Sequence, residues 1–149
     1  MRNSLPVLIS CLLVLLFGYA AASKLLDIPQ YLADMHRQPL PAWLVGALVW
    51  LVPLLEILVC AALLSVRTRK AGFWGAAVLL SVFTGYTVLA LGGYFGKIPC
   101  SCGGIIKGLT WAQHAWLNLT FFTLAVAGLI LEHKEVIAIH RDRRKPVTE

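Results

Sequence analysis

Charges in this sequence come in clusters, and the runs between the clusters are long and apolar. Leu5 to Ala22 is uncharged, as is Ala71 to Gly96. A run from about Ala42 to Val66 holds one charge, Glu56, and the run from about Trp111 to Leu131 holds one ionisable group, His114. A helix needs about 20 apolar residues to cross a bilayer, within a range of about 17–25. Strands of a membrane barrel would instead be about 10 residues long with alternating polarity, a pattern none of these runs shows. The spacing predicts four transmembrane helices, at about 5–22, 42–66, 71–96 and 111–131, in one all-α polytopic membrane domain covering 1–132. A basic cytoplasmic tail would follow over 133–149.

Composition points the same way. Hydrophobic residues are 59% of the 149 and charged residues 13%, with a mean hydropathy of +0.79. Water-soluble domains carry about 25% charged residues, so this chain lacks the charge to cover a soluble core. Disorder, coiled coil and a small disulfide-stapled secreted domain are excluded on the same grounds. The net charge of +6 belongs to orientation in the bilayer, with no nucleic-acid partner implied.

Basic residues are distributed unequally between the two sides. Arg2, Arg67, Arg69, Lys70, Lys134, Arg141, Arg143, Arg144 and Lys145 fall on one side, and Lys24, Arg37, Lys97 and Lys107 on the other. Nine against four predicts cytoplasmic N- and C-termini in a bacterial inner membrane. The segment Lys97 to Thr110 then faces the periplasm. Ala20-Ala21-Ala22-Ser23 has the residue types of a signal-peptidase site, but Ser23-Lys24-Leu25-Leu26 continues the helix, so the first run reads as a retained span.

Within the outward segment stands Pro99-Cys100-Ser101-Cys102-Gly103-Gly104. Thiols outside the cytoplasm meet oxidising conditions. A bridge between residues i and i+2 departs from relaxed disulfide geometry and closes almost no chain, which makes it a poor staple and a labile bond. Three readings stay open: thiol–disulfide exchange at Cys100 and Cys102, metal binding by Cys100, Cys102 and His114, and an inert local bridge. Cys11 and Cys60 lie inside spans and read as small buried hydrophobes, with a membrane-level redox pair as the alternative.

Glu56 lies near the middle of the second span, three residues after Pro53. A carboxylate there is costly and is expected to face the bundle interior, protonated or paired. Its two readings are a polar contact between helices and a proton-transfer or quinone-contacting role. At the start of the fourth span His114 and Asn118 share a helix face. His114 at the outer boundary could lower a thiol pKa or carry its proton, and Asn118 could orient His114 or bind a polar ligand. Trp111 and Trp116 read as interfacial anchors. Lys24, Asp27, Asp34, His36 and Arg37 read as solvated loop charges. Ser81 with Gly85, and Gly92 with Gly96, read as small-residue packing sites.

Together, the Gly18–Leu25 run Gly-Tyr-Ala-Ala-Ala-Ser-Lys-Leu, Pro53-Leu54-Leu55-Glu56 and the Cys-x-Cys-Gly-Gly segment resemble the MauE/DoxX group of redox-associated membrane proteins, closest to its MauE branch, over residues 5 to about 132. The resemblance implies a helper in disulfide formation or maturation of a periplasmic thiol-containing partner, of the methylamine-utilisation type. A second resemblance is to quinone-linked disulfide formers of the DsbB and vitamin K epoxide reductase kind. Those proteins use Cys-x-x-Cys, one residue longer than the motif here. From the residues themselves, the expected site is Cys100, Cys102 and His114 for catalysis, with Glu56 and Asn118 as contacts for a quinone. As an enzyme, such a protein would be a thiol–disulfide oxidoreductase. The alternatives are a non-catalytic assembly subunit and a metal handler.

Overall fold

The computed structural model describes residues 4–95 and 110–143, with side chains described through residue 134. Among them are five helices and no strand: α1 Ser4–Leu26, α2 Ile28–His36, α3 Ala42–Leu64, α4 Arg69–Leu91 and α5 Trp111–Arg143. Four have the length and apolarity to span a membrane, namely α1, α3, α4 and the Trp111–Lys134 part of α5. The all-α four-span architecture expected from the charge spacing is the one observed. The helix of the first span runs unbroken through Lys24 to Leu26, and that of the last continues to Arg143.

α2 is the element that charge spacing does not reveal. Asp27 caps it, its Oδ1 accepting from Gln30 N–H at 3.2 Å, and Pro29 sits in its first turn, where a missing N–H costs nothing. Tyr31 is buried on its inner side and packs with Val45 and Val49 of α3. α2 therefore lies against the start of α3 as a short lid to one end of the bundle.

The main core is built from Leu13 and Phe17 of α1, Leu63 of α3, Phe73, Ala76 and Leu80 of α4, and Ala125 of α5. α4 against α5 and α1 against α3 are the most extensive pairings, and α3 against α4 joins them. Ser10 Oγ donates to the Leu63 carbonyl at 2.8 Å, pinning the start of α1 to the end of α3. The close approaches occur at Gly72, where a Cβ would stand 2.8 Å from Leu63 Cγ and N, and at Gly128, where it would strike the Phe73 ring. The small-residue sites expected from sequence are elsewhere and do not serve that purpose. Gly85 has open space around it, Ser81 Oγ donates to Ala77 O in its own helix at 2.7 Å, and a Cβ on Gly92 would meet carbonyls of its own helix. Spacing alone does not say which face of a helix meets a neighbour. Gly96 lies outside the described residues.

α4 ends in a Schellman arrangement. Gly93 adopts φ +72°, its N–H bonding Ala90 O and the Tyr94 N–H bonding Leu89 O, each at 3.2 Å. The outer surface of the bundle is aliphatic and aromatic, with Leu15, Leu54, Leu58, Val78, Val82, Trp43, Trp50 and Trp116 exposed. Such a surface suits lipid.

Candidate functional site

The inward face of the last turn of α1 carries Lys24. Its side chain runs back along the helix, and Nζ donates to Ala20 O at 3.0 Å. From α3, Glu56 meets it, Oε1 at 2.8 Å and Oε2 at 3.2 Å from the same nitrogen. Glu56 is 1% exposed and Lys24 8%. Glu56 is thus paired and interior, as the cost of a lone carboxylate in a span requires. Lys24, by contrast, is no solvated loop charge. Two ions this deeply buried each lose hydration, and only a close, fully bonded pair offsets that loss. Pro53, one turn before Glu56, sits buried inside α3 and removes a backbone donor from the same stretch.

Tyr31 approaches the pair from α2. It is 6% exposed, and its hydroxyl has no hydrogen-bond partner among the described residues. Burial first, and then the negative charge of Glu56, hold this phenol above its ordinary pKa. Beyond α2, Tyr86 Oη of α4 donates to Gln38 Oε1 at 2.6 Å, and Gln38 Nε2 donates to the Asp34 carbonyl at 3.4 Å. Gln30 Nε2 also donates to Asp34 Oδ1 at 2.9 Å, so α2 and the turn that follows it are tied down by polar contacts.

These groups surround a cavity of about 520 Å³. Lys24, Tyr31 and Glu56 form its polar side. Leu48, Leu51, Val52 and Leu55 of α3 and Val82 and Phe83 of α4 make its apolar walls. Trp111, His114 and Asn118 close it from α5. His114 is half-buried and Asn118 buried, one turn apart on the same face, as their spacing predicts. The structure therefore brings Glu56, His114 and Asn118 to one cavity, although sequence placed Glu56 near the bilayer midplane and His114 at its boundary. Trp111 differs from the expected anchor: it is half-buried, lines the cavity, and its ring stands 6.2 Å from that of Tyr86. Trp116, 70% exposed, has the position of an anchor.

Cys100 and Cys102 lie outside the described residues. Among those described, no cluster of three or more His, Cys, Asp or Glu side chains could hold a metal. Cys11 and Cys60 are free thiols. Cys11 is exposed on the outer surface and not buried as expected, while half-buried Cys60 donates to Val14 O at 3.6 Å.

A second buried ion pair lies at the opposite end of the bundle. Arg69 Nη1 of α4 stands 3.8 Å from Glu132 Oε2 of α5, with both side chains about nine-tenths buried. Arg69 counted only as a topology charge in the sequence, and Glu132 stood at the end of the last span. Neither buried pair is visible by spacing, since the partners are distant in the chain. The available signal was chemical: a carboxylate inside a span demands a cation, and Lys24 lies in the last turn of α1.

A family model described as "Methylamine utilisation protein MauE" matches residues 2–131. No curated protein matches the chain, and no solved structure does.

Proposed function

The chain belongs to the MauE family, and from that premise we propose that it is a membrane-embedded redox helper, supporting thiol–disulfide exchange or maturation of a periplasmic partner protein in methylamine utilisation. It is a multi-pass membrane protein. In the proposed arrangement both termini are cytoplasmic, the membrane is the bacterial inner membrane, and the Cys-x-Cys segment faces the periplasm.

The observation that carries the reading is the Cys100-Ser101-Cys102 segment joined to a helix that opens on His114. A thiolate of the partner attacks the Cys100–Cys102 disulfide, forming a mixed disulfide and releasing one cysteine as thiolate. A second partner thiol then attacks the mixed bond. The partner leaves oxidised, and Cys100 and Cys102 are left reduced by two electrons. If a membrane quinone is the acceptor, Glu56 and Asn118 would be the residues that hold it, and it would supply a sink for two electrons and two protons. His114 acts on the released thiolate as the group that exchanges its proton.

Thiol alkylation in membranes, with and without reductant, tests the exchange. Cys100 and Cys102 should be protected until reductant is added. A pair that stays reduced in cells with a working oxidative system overturns the mechanism and leaves a non-catalytic assembly subunit. A stoichiometric metal on the purified protein, lost on Cys102→Ser, would replace it with metal handling. His114→Ala should slow alkylation near neutral pH by raising the pKa of the reactive thiol. Identical rate–pH curves would remove His114 from the site.

A further inference from the structure

We propose that the cavity between Lys24, Tyr31, Glu56 and α5 binds a neutral, largely apolar molecule through a carbonyl oxygen that accepts a hydrogen bond from Tyr31. It rests on the proposed function only in placing a ligand beside Glu56 and Asn118, and its test reads binding alone. Failure of thiol exchange would leave it standing.

Size is the first ground. About 520 Å³ lies within the range of about 300–1,000 Å³ that small-molecule sites occupy, and such sites set a few polar groups among apolar walls. The second is the state of the polar groups. Lys24 and Glu56 neutralise each other at 2.8 Å, so the site calls for no charge on its occupant. Gln38 and Tyr86 are bonded to one another. Tyr31 Oη is different: it is buried in the cavity wall with no partner among the described residues. A buried hydroxyl left unpaired costs about 1–3 kcal/mol. An acceptor oxygen on a ligand would recover that loss, and a carboxylate would not suit a site beside Glu56.

Access is the third ground. Leu51 of α3 and Val78 and Val82 of α4 both line the cavity and stand exposed on the outer surface. Its rim is thus aliphatic and faces lipid, so the occupant would arrive from within the bilayer. Membrane-soluble quinones and neutral ester lipids both carry this chemistry.

Thermal unfolding of the purified full chain in detergent tests the inference, with decanophenone as the probe and decylbenzene as the same molecule lacking the carbonyl. A ligand that binds only the folded state raises the midpoint with concentration. Decanophenone should raise it and decylbenzene should not. Tyr31→Phe should weaken the decanophenone response about fivefold, the loss of one neutral hydrogen bond. Tyr94→Phe, on an exposed ring, should leave it unchanged. Val52→Phe, which fills the cavity from α3, should abolish it and serves if Tyr31→Phe does not fold. Competition by a fully substituted decyl-1,4-benzoquinone would support the proposal with a quinone as occupant. Competition by dioctanoylglycerol would support it with an ester lipid. Equal responses to decanophenone and decylbenzene, no response to decanophenone, or an unchanged response in Val52→Phe would overturn it.

Discussion

Lys24 and Glu56, 32 positions apart in the chain, meet as a buried ion pair with Nζ to Oε1 at 2.8 Å. The contact joins the end of α1 to the middle of α3 and lies on the polar side of the cavity. Each partner makes the other's burial tolerable. Removing one leaves an ion in an apolar bundle.

Single substitutions at this pair should therefore be worse than the double. Lys24→Met or Glu56→Leu alone should cost about 3–5 kcal/mol, whereas the two together should be close to neutral. Denaturant unfolding in detergent across the four-member cycle measures the coupling. A double variant as unstable as the sum of the singles would show that the pair is not coupled.

Gly128 and Gly85 should respond in opposite ways to alanine. A Cβ at Gly128 runs into the fully buried Phe73 ring, while one at Gly85 meets open space. Gly128→Ala should lose about 1–3 kcal/mol. Gly85→Ala should be neutral or gain up to about 1 kcal/mol from helix propensity. Unfolding midpoints of the two variants, side by side, decide the point.

Tyr31 sets a dependence at alkaline pH. Its phenol is held above the ordinary value near 10 by burial and by Glu56. The folded state therefore keeps this proton longer than the unfolded chain does. The resulting stability is fully present below about pH 10 and is lost as pH rises through the folded value. In an ultraviolet titration, Tyr31→Phe should remove a late-ionising phenol and leave the ordinary part of the curve in place. Loss of absorbance change near pH 10 instead would place Tyr31 in a solvated setting.

The orientation inferred from basic residues has a direct check. Reporter fusions after Arg69 and after Lys107 should report opposite compartments, cytoplasmic and periplasmic. The same compartment for both would remove the periplasmic placement of Cys100 and Cys102.

Much of the architecture was legible because its physics is local along the chain. Hydrocarbon thickness sets a run length, and four apolar runs of that length could be counted without knowing what touches what. His114 and Asn118 could be placed on one face because helical periodicity does so for any residues four apart. Glu56 could be assigned to the interior because the cost of a charge in lipid does not depend on its partner's identity. The Cys-x-Cys segment could be singled out by residue type alone.

What depended on packing could not be read this way. Whether Lys24 faces water or Glu56 is decided by the rotation of α1 against α3. That rotation follows from Leu13 and Phe17 meeting Leu63, and from Ser10 bonding to its carbonyl. The same holds for the glycines: Gly72 and Gly128 sit under neighbouring helices while Gly85 does not, although all three are equally small. α2 carries Tyr31 to the cavity only because Tyr31 finds Val45 and Val49 to pack on. Run length, period and residue chemistry belong to the sequence itself. The pairing of distant charges and the shape of the cavity arise where helices far apart in the chain come into contact, so only the tertiary structure decides them.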